Sequence, residues 1–221
     1  MGLISRFSAC LAVLAAVLAA PAVQAQKKDI RFSIGTRDYA MTIPDGFCLP
    51  EGEMVAAAES VARTATSNFT LASLYRCDAE MIYTDRWLLI KTARNLPDMD
   101  LSERERWLPE WERFFAASED GSLDGPIIED AERVASEELG AELDIATSRT
   151  SAGRDGNCAY TLGQAMVRMG DARQKLRTAG WLCIGGGRAV SFRAYDNREG
   201  ASSDELLERV KDFYAAVRLV R

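Results

Sequence analysis

Apolar and polar residues mix in short strand-type runs from Ile30 to Ile43 and again from Glu142 to Tyr195, and helical spacing dominates several stretches between and after them. Ile30 to Ile34 and Tyr39 to Ile43 are strand-type runs around the polar Gly35-Thr36-Arg37-Asp38, which predicts an opening hairpin ended by Pro44-Asp45-Gly46. Glu53 to Leu74 is rich in alanine, with Met54, Ala58, Val61, Ala62 and Ala65 at helical spacing. That spacing predicts one helix, or a pair broken around Thr66-Ser67-Asn68. Met81 to Ala93, centred on Trp87-Leu88-Leu89-Ile90, reads as a buried strand central in a sheet, because its apolar run is continuous rather than alternating.

Leu101 to Ser118 is a second helical stretch, with Ser102 as N-cap, Glu105 three residues on, and Pro109 as a kink or restart. Pro126 to Leu139 is a further helix, opened by Asp124-Gly125-Pro126 and closed by Gly140. Glu142 to Arg149 is a strand and Ser151 to Asn157 a polar loop. Cys158 to Arg168 and Gln174 to Ile184 then make a long hairpin about Gly170-Asp171. Gly185-Gly186-Gly187 turns the chain into another strand, Ala189 to Tyr195, so these strands predict an antiparallel meander. Ser203 is the expected cap of a last helix with Leu206, Val210, Phe213, Tyr214 and Val217 on one face. The order predicts an α+β fold, an antiparallel sheet covered by helices in a two- or three-layer sandwich.

Met1 to Ala25 has a different pattern. Arg6 precedes an apolar stretch that ends at Ala22-Val23-Gln24-Ala25, which reads as an export signal cleaved before Gln26. The apolar run falls short of the roughly 20 residues that span a bilayer. No later apolar run is longer than a strand, so no stable membrane insertion is expected after cleavage. Residues 26–221 carry no repeat, low-complexity tract or Pro/Gly/Ser-rich linker, and are read as a single domain in the periplasm or medium.

Export changes how the cysteines are read. Cys10 leaves with the signal, and the remaining Cys48, Cys77, Cys158 and Cys183 are an even set in an oxidising compartment. Three pairings are open. Counting outward from a two-residue loop at Gly170-Asp171 seats Cys158 opposite Cys183, Tyr160 opposite Trp181 and Leu162 opposite Ala179. The register therefore favours Cys158–Cys183 and, by remainder, Cys48–Cys77. A redox or metal role is disfavoured, since the four are scattered and form no C-x-x-C.

Composition narrows the function classes further. Charged residues make up 27% and the formal net charge is −6, so nucleic acid is a poor partner and none is expected. Histidine is absent, which removes Ser-His and Cys-His catalysis, His-ligated zinc and imidazole acid-base chemistry. No metal or cofactor and no catalytic residue is expected. Asp98, Asp100 and Glu103 lack the glycine and distal glutamate of an EF-hand loop and suit N-capping. Gly185-Gly186-Gly187 with Arg188 leads into a strand, where a phosphate loop would lead into a helix. Arg149, Arg154, Arg168, Arg173, Arg177 and Arg188 make the second half locally basic and raise the alternative of a polyanion site.

The run Thr42-Ile43-Pro44-Asp45-Gly46-Phe47 after an opening strand resembles the start of PsbP-like domains. Val190-Ser191-Phe192-Arg193-Ala194-Tyr195, followed by a polar loop and an amphipathic helix, resembles their ending. The run Ile43 to Cys48, with a second cysteine at 77, also resembles small secreted proteobacterial proteins. The PsbP-like resemblance implies an accessory or binding role with no catalytic residues to carry over. Trp107, Trp111, Phe114 and Phe115 lie at i, i+4, i+7 and i+8. Such a stripe reads first as core or sheet cover and second as a docking surface for a partner. The sequence therefore points to an exported, non-catalytic binding or accessory protein of the cell envelope that takes an envelope protein or a small ligand. The alternative is a histidine-free, carboxylate-dependent hydrolase acting on an envelope polymer.

Overall fold

The structure, a computed structural model, describes residues 28–64, 67–79, 85–117, 143–169 and 171–221. The expected signal, the expected helix Pro126 to Leu139, and the start of the strand predicted from Met81 lie outside them.

The chain opens with β1 (Asp29–Ile34) and β2 (Arg37–Thr42), an antiparallel hairpin whose register pairs Ile34 with Arg37. Ile30, Phe32 and Ile34 point inward from alternate positions, as a strand with one solvated face requires. After the turn at Pro44-Asp45-Gly46 come the short β3 (Phe47–Cys48) and α1 (Glu53–Thr64). The chain continues through β4 (Asn68–Arg76), β5 (Arg86–Ala93) and α2 (Arg104–Ala117). The second half consists of β6 (Leu143–Arg154), β7 (Cys158–Met169), β8 (Ala172–Gly185), β9 (Arg188–Asp196), α3 (Ser203–Ala215) and β10 (Val217–Leu219).

Among the described residues two antiparallel sheets result. One has seven strands in the order β3-β4-β5-β9-β8-β7-β6, and the other has three in the order β1-β2-β10. The small sheet and α3 cover one face of the large sheet, where Leu88 and Ile90 of β5, Trp181 of β8 and Phe192 of β9 meet Ile30, Met41, Val210 and Phe213. On the opposite face Ala58 of α1 packs with Tyr75, Trp87 and Leu89, and Leu108 of α2 packs with Leu101, Ile184 and Ala189. This is the predicted α+β sandwich in its three-layer form. Strand β5 is covered on both faces, which is why Trp87 to Ile90 is apolar without alternation. Among the described residues no helix is long and apolar enough to cross a membrane.

The long hairpin has the register that turn counting predicts. Cys158 pairs with Cys183, Tyr160 with Trp181, Leu162 with Ala179 and Ala165 with Leu176. Both predicted disulfides are present, with Cα–Cα separations of 5.0 Å for Cys48–Cys77 and 4.0 Å for Cys158–Cys183.

Other local expectations are corrected. The alanine-rich helix stops at Thr64, and Asn68 to Arg76 is a strand hydrogen-bonded to β3 and β5. Sheet pairing on both edges overrides the local helical spacing there. Helix α2 runs unbroken through Pro109, which lies in its second turn and forfeits one backbone bond while Leu108 anchors the helix in the core. Helix α2 begins at Arg104, past the expected Ser102 cap, and the Ser102 N–H donates to Asp100 Oδ1. The last helix is capped by Ser202, one residue early, whose hydroxyl accepts from the Asp204 and Glu205 N–H groups. Most of the predicted loop Ser151 to Asn157 belongs to β6, which bulges between Ser151 and Arg154 around Gly153 at φ +80°. Val217 leaves the helix and starts β10, which pairs with β2 and closes the small sheet.

Candidate functional site

A pocket of about 520 Å³ opens where the Pro44-Asp45-Gly46 turn, the adjoining ends of β4 and β5, and the exposed side of α3 meet. Its floor is apolar, with Ile43, Phe47 and Phe213, and the last two rings sit edge to face at 5.6 Å. Arg76, Arg86 and Arg209 line it from three different elements, and Asp45 and Asp212 supply carboxylates to the same lining.

Each arginine is placed by its local sequence. Arg76 is the last residue of β4 and pairs with Phe47 of β3. The next residue, Cys77, is bonded to Cys48 and donates its N–H to Gly46 O at 3.0 Å, so the turn and the disulfide fix the end of the strand. Gly46 has φ +80°, and a Cβ there would lie 2.5 Å from Arg76 Nη1. The glycine thus serves the turn and leaves room for the guanidinium. Arg76 grips Asp78 with Nε and Nη2, each at 3.1 Å. Arg86 is the first residue of β5 and follows Asp85, which has φ 68°. Arg209 lies one residue before the buried Val210 on α3, on the flank of the helix that faces the pocket.

Charges of both signs meet at this corner. Asp85 is shared, with Oδ1 at 3.5 Å from Arg86 Nε and 3.4 Å from Arg198 Nε, and Oδ2 at 3.7 Å from Arg76 Nε. Arg198 is already held by the buried Asp196, with Nη2 to Oδ2 at 2.8 Å. Arg86 Nε and Arg209 Nη1 are both buried and make no hydrogen bond. Burial, followed by repulsion from Arg198 and Arg209, holds the Arg86 guanidinium below its ordinary value. Guanidinium does not deprotonate near neutrality, so this displacement marks a buried cation whose counter-charge, Asp85, is shared with Arg76 and Arg198. An oxyanion seated between Arg86 and Arg209 would supply further counter-charge and hydrogen-bond acceptors.

The residues singled out in the sequence are placed elsewhere. Trp107 and Trp111 are half-buried against Leu101, Leu108, Ile184 and Ala189, while Phe114 is 52% exposed and Phe115 lies beneath the Arg149 guanidinium at 5.7 Å. The four aromatics therefore divide between sheet cover and solvent. The ion pair from Arg154 Nε to Glu112 Oε2 at 2.8 Å ties this helix to the edge strand β6. Of the second-half arginines, Arg168 and Arg173 are opposite each other in the β7–β8 register. Arg177 donates to Arg198 O and Arg188 to Met99 O. The glycine turn is crowded by side chains, since a Cβ on Gly186 would meet Leu219 and Tyr39, and one on Gly187 would meet Asp100. The pocket arginines escaped sequence reasoning because they sit singly at 76, 86 and 209. The signal available was the Pro44-Asp45-Gly46 turn beside Cys48, which marks a fixed backbone corner.

Fold and pocket together define an α+β sandwich with two disulfides and a lining suited to holding an oxyanion. No family model matches the chain, and no curated protein matches it. Among solved structures the chain is similar to cyanobacterial PsbP (CyanoP) from Synechocystis sp. PCC 6803, determined in solution, at 10% identity and a TM-score of 0.41. The match covers 92% of this chain and 99% of that one.

Proposed function

We propose that this chain is an exported, disulfide-bonded domain of the cell envelope, residues 26–221 after signal removal, that works by binding an anionic group in its arginine pocket. The observation that carries this reading is the convergence of Arg76, Arg86 and Arg209 on one pocket, where Arg209 Nη1 is buried without a hydrogen bond and Arg86 Nε has only the shared Asp85 at 3.5 Å. Leaving a donor such as Arg209 Nη1 unsatisfied costs about 1 to 3 kcal/mol, a cost that a bound oxyanion removes. The lining offers recognition groups and no assembled nucleophile and base. Every described carboxylate with a displaced pKa, namely Asp29, Asp38, Asp78, Asp100 and Asp155, is displaced downward, whereas a hydrolase's general acid needs the opposite shift. A partner contact through Trp107, Trp111, Phe114 and Phe115 is the accessory half of this reading, with Phe114 offering the most surface.

The test is to purify the protein from the periplasm and titrate it with phosphate, sulfate and acetate while following the arginine Nε–H resonances by NMR. The reading expects an N-terminus at Gln26 and saturable shifts at Arg86 with at least one anion, lost in Arg209→Met. Retention of Met1 in a cytoplasmic protein would overturn export, and no saturable shift with any anion would overturn the binding role.

A further inference from the structure

Resting on that anion-binding reading, we infer that the pocket's ligand is an organic phosphate monoester, a single phosphoryl group carried on an apolar body. Three features of the pocket select this class.

The first is the number and chemistry of the donors. Arg76, Arg86 and Arg209 approach from β4, β5 and α3, so an occupant is met from three directions. A carboxylate is planar and is matched by one guanidinium fork. A phosphoryl group presents three terminal oxygens in a tetrahedral array and carries close to two negative charges near neutral pH. It can accept from Arg209 Nη1 and from the Arg86 guanidinium, beside the Arg86–Asp85 pair, and still leave an oxygen for Arg76, which Gly46 and the Cys48–Cys77 disulfide hold at the end of β4.

The second is the space beside the donors. The pocket's roughly 520 Å³ is of the size that encloses an organic ligand and exceeds what inorganic phosphate fills. Its floor of Ile43, Phe47 and Phe213 rewards an apolar group attached to the phosphoryl oxygen, and burial of that group adds affinity that free phosphate lacks.

The third is what the lining excludes. Asp45 and Asp212 share it with the arginines, so a second phosphoryl group or a polyanion would place further negative charge beside carboxylates. The chain's net charge of −6 opposes polyanions at longer range as well. One phosphate is accommodated, and two are penalised.

The same chemistry occurs in soluble monoesters and in the headgroup of phosphatidic acid, and the experiment separates them. The disulfide-intact protein is titrated calorimetrically with phenyl phosphate, inorganic phosphate, benzoate and pyrophosphate. It is also sedimented with phosphatidylcholine vesicles that contain or lack phosphatidic acid. Phenyl phosphate should bind at least about tenfold more tightly than the other three, and Arg86→Met and Arg209→Met should each weaken it by about tenfold or more with the near-UV circular dichroism unchanged. Sedimentation only with phosphatidic acid vesicles, lost in Arg209→Met, supports the inference with the lipid as source. Phenyl phosphate binding without sedimentation supports it with a soluble monoester. Benzoate or pyrophosphate binding as tightly as phenyl phosphate would overturn the ligand class and leave the anion pocket standing. Absence of binding by all four would overturn the pocket along with the class.

Discussion

Replacing Gly46 by alanine separates the backbone role of the Pro44-Asp45-Gly46 turn from its role in the pocket, and Gly52 supplies a matched control. Both glycines occupy the left-handed region, at φ +80° and φ +59°. An alanine forced into that region costs about 1 to 2 kcal/mol, and in a domain of this size each kcal/mol lowers Tm by about 2 to 4 °C. Both variants should therefore melt a few degrees early and by similar amounts. Their surroundings differ. Nothing lies within 4 Å of a Cβ built on Gly52, whereas one on Gly46 falls 2.5 Å from Arg76 Nη1. The far end of an arginine moves at small steric cost, and its partners Asp78 and Asp85 are both solvent-accessible, at 73% and 35%, so loss of these pairs affects stability little. Displacing Arg76 removes one charged donor from the pocket, worth about 1.5 to 3 kcal/mol, or roughly a tenfold to hundredfold loss of anion affinity. The assay is a thermal melt of Gly46→Ala and Gly52→Ala beside the wild type, with phenyl phosphate titrated into all three. Equal affinity in the two variants would show that Arg76 is not a ligand of the pocket. A wild-type Tm in Gly46→Ala would refute the strain argument.

Cys158→Ala/Cys183→Ala should lose about 3.5 kcal/mol in urea unfolding, from the entropy of a closed loop spanning 25 residues, and a loss under 1 kcal/mol would sink that account. Phe213→Ala, which removes a ring 3% exposed between the helix and the sheet, should cost about 3 to 5 kcal/mol, whereas Phe114→Ala should stay within about 0.5 kcal/mol; comparable losses would contradict the packing of α3. Lys91 in β5 has its amine held down to about 8 from 10.5 by burial and then by Arg193. Because its folded value lies below its unfolded one, the unfolded chain holds more protons between those pH values. The wild type should therefore gain stability from pH 8 to 10.5 and pay the full cost below pH 8. Lys91→Met should raise stability at pH 7 by about 1 to 2 kcal/mol and flatten that rise in urea midpoints measured across the range; an unchanged slope would clear Lys91 of the effect. Tyr39, Tyr75, Tyr160 and Tyr214, all raised chiefly by burial, should pull both proteins down above pH 10.

What the amino-acid order determined by itself is local and covalent. A two-residue turn and a side-chain period of two leave one register for the β7–β8 hairpin, so the pairing of Cys158 with Cys183 was legible by counting, as was the opening hairpin. The apolar stripe of α3 and the two-faced burial of β5 were legible for the same reason, since spacing along the chain reports which faces are covered. The tertiary structure decided whatever depends on a partner distant in sequence. Asn68 to Arg76 has locally helical neighbours and becomes a strand because β3 and β5 offer it hydrogen bonds on both edges. Val217 to Leu219 is too short to signal a strand and forms one because β2, more than 170 residues earlier, has a free edge there. Trp107 and Trp111 face the sheet while Phe114 faces water, a division that helical spacing alone does not make. The pocket belongs to this second kind. Its arginines come from β4, β5 and α3, and only the packing of α3 against a corner fixed by Cys48–Cys77 turns three scattered cations into one site.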